Sequence, residues 1–179
     1  MNIPNLLTGI RIFLIPIFII SLIYNYYFYA LWIFIFESIT DSLDGLIARL
    51  YNQKTNFGKY FDPMADKLLL TSAFVTLSVL NIVPLWLTII VVSRDIMLVM
   101  GTLILHLTQN RLDVSPTIVG KATTLFQLIY IISVLLFIVL NKSIDSLSPI
   151  VWIITLITII SCLHYLYRGF KLINGIVAL

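Results

Sequence analysis

Apolar runs of about 20 residues each, parted by short polar stretches, dominate this chain from end to end. A run of that length crosses the hydrocarbon of a bilayer as a helix. Hydrocarbon offers the backbone no hydrogen-bond partners, so only helices and closed barrels survive there. The composition agrees. Of the 179 residues 60% are hydrophobic and 11% are charged, where a soluble domain has about a quarter charged. Mean hydropathy is +1.07. The chain is read as all-α: an integral membrane bundle of six transmembrane helices, one domain over residues 1–179, with no room for a second, soluble domain.

The expected helices cover about 5–24, 30–50, 61–79, 84–107, 117–140 and 149–168. The first opens on an amphipathic segment, with Ile3, Leu6, Leu7 and Ile10 on one face and Asn5, Thr8 and Arg11 on another. Pro16 is expected to kink the span that follows. That apolar run lacks a small-residue cleavage pattern, so it reads as a retained helix rather than a signal peptide. Basic residues set the orientation. Arg49, Lys54 and Lys59 lie between the second and third helices, and Arg111 and Lys121 between the fourth and fifth; Arg11, Arg168 and Lys171 lie at the terminal ends, and the opposite loops hold Lys142. Both termini are therefore expected on the cytoplasmic side of a cell membrane. The aromatic cluster Tyr24–Tyr29, with Trp32, Trp86 and Trp152, fits the opposite interface. No basic run suggests nucleic acid.

Against this background stand four aspartates, in Asp41-Ser-Leu-Asp44-Gly45-Leu-Ile-Ala48-Arg49 and, eight residues on, Gly58-Lys-Tyr-Phe-Asp62-Pro-Met-Ala-Asp66. One carboxylate in hydrocarbon costs about 2.5–3.5 kcal/mol even on the lenient insertion scale. Asp41 and Asp44 share one helix face, as do Asp62 and Asp66 on the next helix. The two helices are expected to be antiparallel neighbours joined by a short loop, so that, facing each other, they bring four carboxylates into one small volume. Such an oxygen-rich set suits hard divalent cations, Mg²⁺ or Mn²⁺, two ions in all. No nearby set of His and Cys favours zinc. Paired metals with an arginine beside them suit phosphoryl transfer.

The pattern Asp-x₂-Asp-Gly-x₂-Ala-Arg-x₈-Gly-x₃-Asp-x₃-Asp resembles the signature of the CDP-alcohol phosphatidyltransferase family. Asp41, Asp44, Gly45, Ala48, Arg49, Gly58, Asp62 and Asp66 match every fixed position. The six-helix reading agrees with the family fold, so the resemblance covers essentially the whole chain. It implies that Asp41, Asp44 and Asp62 hold one metal and that Asp41, Asp62 and Asp66 hold the second, partly through water. Gly45 and Ala48 would let the CDP moiety approach. Arg49 and Thr55 would contact its diphosphate and ribose, and Gly58 its cytidine. Asp66 corresponds to the catalytic base. Cations beside a carboxylate weaken it as a base, so positioning and charge neutralisation are expected to supply more of the rate than proton abstraction. The resemblance also implies a homodimer.

The signature specifies the donor, a CDP-linked lipid such as CDP-diacylglycerol, and leaves the acceptor to weaker features. The stretch Asn-Ile-Pro4-Asn5-Leu-Leu-Thr8-x-x-Arg11 resembles the branch of the family whose acceptor is glycerol 3-phosphate, and so does Phe-Gly58-Lys59-x-x-Asp62-Pro63-x-Ala65-Asp66-Lys67. On that basis Asn5 and Thr8 join the CDP-lipid contacts. A dianionic acceptor needs fixed cations, and Arg94, Lys121 and Arg168 are candidates for its phosphate pocket. In the competing reading Arg94 pairs with Asp95 or another carboxylate, while Lys121 and Arg168 snorkel to headgroups. Ser93-Arg94-Asp95 also resembles the branch whose acceptor is phosphatidylglycerol. An inositol-phosphate acceptor has less support, and a choline or ethanolamine acceptor would meet like charge.

The remaining polar residues read as structural. Glu37, one turn before Asp41, is taken as a packing or supporting group, and His106 and His164 as interfacial or packing residues. Cys162 is taken as a small buried or lipid-facing side chain. Ser72 and Thr76, four apart, allow close helix packing. The alternative class is a cation transporter, which also places carboxylates in membrane. It would more naturally show internal repeats or matched broken helices, and its acids would lie near the midplane rather than toward one end.

Overall fold

The computed structural model describes the backbone of residues 3–50, 58–109 and 118–177, and the side chains of 9–10, 13–40, 67–101 and 119–167. Among the described residues all regular structure is helical: α1 (Ile3–Ile23), α2 (Tyr27–Leu50), α3 (Gly58–Val79), α4 (Leu85–Gln109), α5 (Ile118–Val139), a short 3₁₀ turn (Ile144–Leu147) and α6 (Ser148–Val177). Six long helices thus follow in the expected order, with shifted ends. The amphipathic start is not a separate segment: it is continuous with α1, which runs unbroken through Pro16. The signature glycine Gly58 opens α3, and α6 continues past Arg168 to Val177.

Three asparagines turn the chain. Asn25, Asn81 and Asn141 adopt left-handed φ angles of 61°, 59° and 54°. Asparagine tolerates this conformation better than any other residue with a side chain except its close relatives. At each turn the amide after the asparagine reaches back five residues, and the asparagine amide reaches back three. The longer bonds are Tyr26 N to Ser21 O at 2.8 Å, Ile82 N to Leu77 O at 2.9 Å and Lys142 N to Phe137 O at 2.8 Å. This Schellman pattern satisfies carbonyls that a helix end would otherwise leave without partners. The odd-numbered helices all end this way, producing the hairpins α1–α2, α3–α4 and α5–α6. In consequence the starts of α1, α3 and α5 lie toward the same end as the finishes of α2, α4 and α6.

Among the described residues the principal partners of α2 are α1 and α5, and those of α3 are α1 and α4, with a smaller contact to α5. Over the described residues the two aspartate-bearing helices therefore share α1 and α5 as neighbours; the side chains of 41–50 and 58–66, where the two are expected to face each other, lie outside the described residues.

The core is built from Phe18 and Leu22 of α1, Phe34 of α2, Phe74 and Leu77 of α3, Leu87 of α4, Tyr130 and Leu135 of α5 and Ile154 of α6. Phe18 meets Phe34 at a ring-centroid distance of 5.5 Å, and Phe74 stacks on Tyr130 at 6.2 Å. The polar and apolar residues are distributed contrary to a water-soluble bundle. Glu37, Arg94, Asp95, Gln127, Thr158 and Ser161 are buried, while Phe13, Val79, Leu85 and Trp152 face outward. A solvent that tolerates such an apolar exterior is hydrocarbon, and the fold is compatible with a membrane helical bundle. Buried hydroxyls bond carbonyls of their own helix, as Ser38 does to Phe34 O at 2.7 Å and Thr155 to Val151 O at 2.8 Å. Trp32, Trp86 and Trp152 lie toward the asparagine end, and Trp86 and Trp152 approach to 5.5 Å.

Among the described residues Val119–Val139 and Ile144–Tyr167 are long and apolar enough to cross a membrane; Phe13–Ile23, Tyr27–Thr40 and Lys67–Val79 are shorter apolar stretches. The charged residues Asp41, Asp44 and Arg49 occupy the last part of α2, and Lys59, Asp62, Asp66 and Lys67 the first part of α3.

Candidate active site

The signature residues fall where α2 ends and α3 begins. Asp41, Asp44, Gly45, Ala48 and Arg49 lie within α2, and Gly58, Asp62 and Asp66 within α3. Asn5 and Thr8 lie in the opening turns of α1, and Arg168 in α6. The side chains of all these residues, and Thr55 altogether, lie outside the described residues. What the backbone establishes is topological. The hairpins bring the start of α1, the finish of α2 and the start of α3 toward one end of the bundle. The early turns of α5, which carry Lys121, and the late turns of α6, which carry Arg168, lie toward that end as well. Residues far apart in sequence thus gather by topology at the end opposite the tryptophans.

The aspartate set can be tested against the metals it suggests by its donor chemistry. The stretch 41–66 supplies carboxylates from two helices and contains neither His nor Cys. Hard oxygen donors without nitrogen or sulfur fit Mg²⁺ or Mn²⁺ and do not fit a zinc site.

The described part of the neighbourhood is a buried ionic cluster just inside this end. Lys67 follows Asp66 on α3, and its Nζ lies 2.9 Å from Asp95 Oδ1 on α4. The same oxygen accepts from Arg94 Nη1 at 2.6 Å. Arg94 Nη2 donates to Ser161 Oγ on α6 at 3.2 Å and more weakly to the Gly120 carbonyl on α5 at 3.4 Å. Arg94 is 2% exposed and Asp95 4%. Among the described residues Arg94 Nε and Asp95 Oδ2 are buried without a hydrogen-bond partner. Among the described residues two cations share this one carboxylate, a surplus of positive charge within that set.

This geometry bears on both readings of Arg94. The guanidinium is paired with Asp95, as the competing reading expected. It also stands level with the α3 segment that carries Asp66, through their common partner Asp95. Lys121 follows Gly120 on α5 and is exposed; Arg168 lies two turns beyond Ser161 on α6. The structure therefore joins Arg94 to the helices that carry the other two bases, and it leaves Lys121 outside the buried cluster. Lys67 and Asp95 were not singled out as site residues by sequence reasoning. An aspartate adjacent to an arginine inside an apolar helix was the available signal, since such a pair in hydrocarbon requires partners.

Other polar expectations sort simply. Glu37 is fully buried within the bundle. Thr76 is buried and Ser72 bonds the Leu69 carbonyl at 2.8 Å, in keeping with a packing role. Cys162 is half-buried, with its Sγ 3.4 Å from Met97 Sδ. His164 is exposed, and the side chain of His106 lies outside the described residues.

Comparison with known proteins adds the chemistry. Residues 1–163 match the family model described as CDP-alcohol phosphatidyltransferase. A CDP-diacylglycerol–glycerol-3-phosphate 3-phosphatidyltransferase of Aquifex aeolicus is 35% identical over 180 residues, covering 97% of this chain and 98% of that protein. A probable phosphatidylglycerophosphate synthase of Mycobacterium tuberculosis is 32% identical over 183 residues, covering 98% of this chain and 85% of its own. A cardiolipin synthase (CMP-forming) of Homo sapiens is 31% identical over 192 residues, covering 98% of this chain and 64% of its own.

Proposed function

The chain belongs to the CDP-alcohol phosphatidyltransferase family, and from that premise we propose that it transfers the phosphatidyl group of CDP-diacylglycerol to glycerol 3-phosphate. The products are phosphatidylglycerophosphate and CMP, a step of phospholipid biosynthesis. The observation that carries this reading is the complete signature, Asp41 to Asp66, set across the finish of α2 and the start of α3. The names of the relatives from Aquifex aeolicus and Mycobacterium tuberculosis support the acceptor.

In this reading the primary hydroxyl oxygen of glycerol 3-phosphate attacks the β-phosphorus of CDP-diacylglycerol. A new phosphorus–oxygen bond forms as the bond from that phosphorus to the bridging oxygen breaks, and CMP leaves with the bridging oxygen. Asp66 accepts the hydroxyl proton. Arg49 and Thr55 hold the diphosphate and ribose, Gly58 lies along the cytidine, and Gly45 and Ala48 keep the approach open. Asn5 and Thr8 complete the donor site from α1. Arg94, Lys121 and Arg168 supply positive charge to the acceptor phosphate, with the surplus charge of the Arg94 cluster as the most deeply buried part of it.

Two Mg²⁺ or Mn²⁺ ions would be held by Asp41, Asp44 and Asp62 and by Asp41, Asp62 and Asp66; bound there, they neutralise the diphosphate. The whole of residues 1–179 is taken as one domain of six membrane spans, with both termini and the aspartates on the cytoplasmic side of the cell membrane. The enzyme is taken to work as a homodimer among membrane lipids. Basic residues concentrated at the end opposite the tryptophans support this orientation.

A second reading, transfer to phosphatidylglycerol to give cardiolipin, is favoured by Ser93-Arg94-Asp95 and by the human relative. The test is an assay of purified protein with CDP-diacylglycerol and a panel of labelled acceptors. Product from glycerol 3-phosphate with release of CMP is expected. Cardiolipin from phosphatidylglycerol, with no product from glycerol 3-phosphate, would replace the first reading by the second.

A further inference from the structure

We infer that Asp95 and Lys67 are positioning residues that set the rotation of α3 at the register of Asp62 and Asp66; the inference rests on the role proposed above for those aspartates. Lys67 is the residue directly after Asp66, and its ammonium is held at 2.9 Å by Asp95 of α4. The same Asp95 oxygen is held at 2.6 Å by Arg94. Arg94 is in turn tied to Ser161 of α6 and to the Gly120 carbonyl of α5. One carboxylate oxygen therefore connects α3 to α4, α5 and α6 immediately beside the base position.

Helix rotation is what such a tie controls. Adjacent helical residues point about 100° apart, so fixing the direction of Lys67 fixes that of Asp66, and of Asp62 one turn before. From Leu69 and Leu70 on, buried side chains hold α3 in the core; the tie at Lys67 extends that hold by a polar contact to the turn that carries Asp66. The tie is anchored on a buried group. Asp95 is 4% exposed, and a carboxylate buried in low dielectric holds its cation partners more strongly than one in water. A helix turned by a small angle would carry the aspartates off their working geometry, and misplacement of about 1 Å costs on the order of 10²-fold in rate.

The experiment compares wild type, Asp95→Asn, Asp95→Glu, Lys67→Gln and the double variant Asp95→Asn/Lys67→Gln, purified and shown to be folded. The acceptor is whichever of glycerol 3-phosphate and phosphatidylglycerol the wild type uses, so an error in the acceptor does not decide the result. Expected is a fall in kcat of about 10–100-fold for Asp95→Asn and Lys67→Gln, with KM for CDP-diacylglycerol within about twofold of wild type. The double variant should be no worse than its worse single, as for residues acting as one unit, and Asp95→Glu should recover part of kcat. Mn²⁺ binding without substrate, read by electron paramagnetic resonance, should weaken in the two single variants. Unchanged kcat with unchanged Mn²⁺ binding in Lys67→Gln, which leaves the Arg94–Asp95 pair in place, would overturn the inference. So would a loss confined to acceptor KM, which would place Asp95 at the acceptor instead. If Asp95→Asn does not fold, Lys67→Gln and Asp95→Glu carry the decision.

Discussion

Arg94 and Asp95 are neighbours in sequence, yet the Arg94 guanidinium turns back to meet the Asp95 carboxylate at 2.6 Å, with both side chains buried. Successive residues of a helix diverge by about 100°, so this contact depends on the length of the arginine side chain. The same guanidinium reaches Ser161 with its other terminal nitrogen. Arg94→Lys should therefore behave as a disruptive change: an ammonium is a single point of donation and cannot serve the pair and Ser161 in one plane. A loss of about 1–3 kcal/mol is expected, and Arg94→Leu should lose about 3–5 kcal/mol by leaving a buried carboxylate short of a partner. Unfolding midpoints in detergent measure both.

In the proposed arrangement Asp62, like Asp41, serves both metals, so these two carboxylates have less redundancy than Asp44 and Asp66. Asp62→Asn is expected to lower turnover by at least about 10³-fold, or on the order of 4 kcal/mol of transition-state stabilisation. Chelation of the wild-type enzyme should abolish activity, and Mg²⁺ or Mn²⁺ should restore it. Activity that survives either treatment would remove the metal assignment.

The stacked rings of Phe74 and Tyr130, 6.2 Å apart, join α3 to α5 in the core. Both side chains are fully buried. Phe74→Ala should destabilise the bundle by about 3 kcal/mol, since a void in a packed interior loses contacts on every side. Phe74→Leu should cost less. Thermal unfolding in detergent is the measure, with turnover at low temperature largely retained.

Lys142 follows the left-handed Asn141 and lies over the Phe137 ring at 5.9 Å. The six-span reading puts it on the side opposite Lys54. In a Cys162→Ser background, which removes the sole cysteine, Lys142→Cys should react with a membrane-impermeant maleimide in intact cells. Lys54→Cys should react only after permeabilisation. The reverse pattern would invert the topology.

The legible part of this protein is the part written locally. Runs of apolar residues near the bilayer length specify helices because hydrocarbon allows few other solutions. The signature from Asp41 to Asp66 is legible because its spacing follows the helical repeat, so chemistry and register coincide in one short window. Asn81 and Asn141 could be read as turns for the same reason. Asn25 was hidden within the aromatic cluster Tyr24–Tyr29, although it closes α1 as the others close α3 and α5.

What the tertiary structure alone decided is which elements share a boundary. The sequence determines that α2 and α3 carry the acids; only packing determines that α1 and α5 flank them both. Lys67 and Asp95 are 28 residues apart, and Arg94 and Ser161 are 67 apart. No periodicity encodes such pairings. They are fixed when buried charges, denied water, must find each other across whichever helices the packing has brought together.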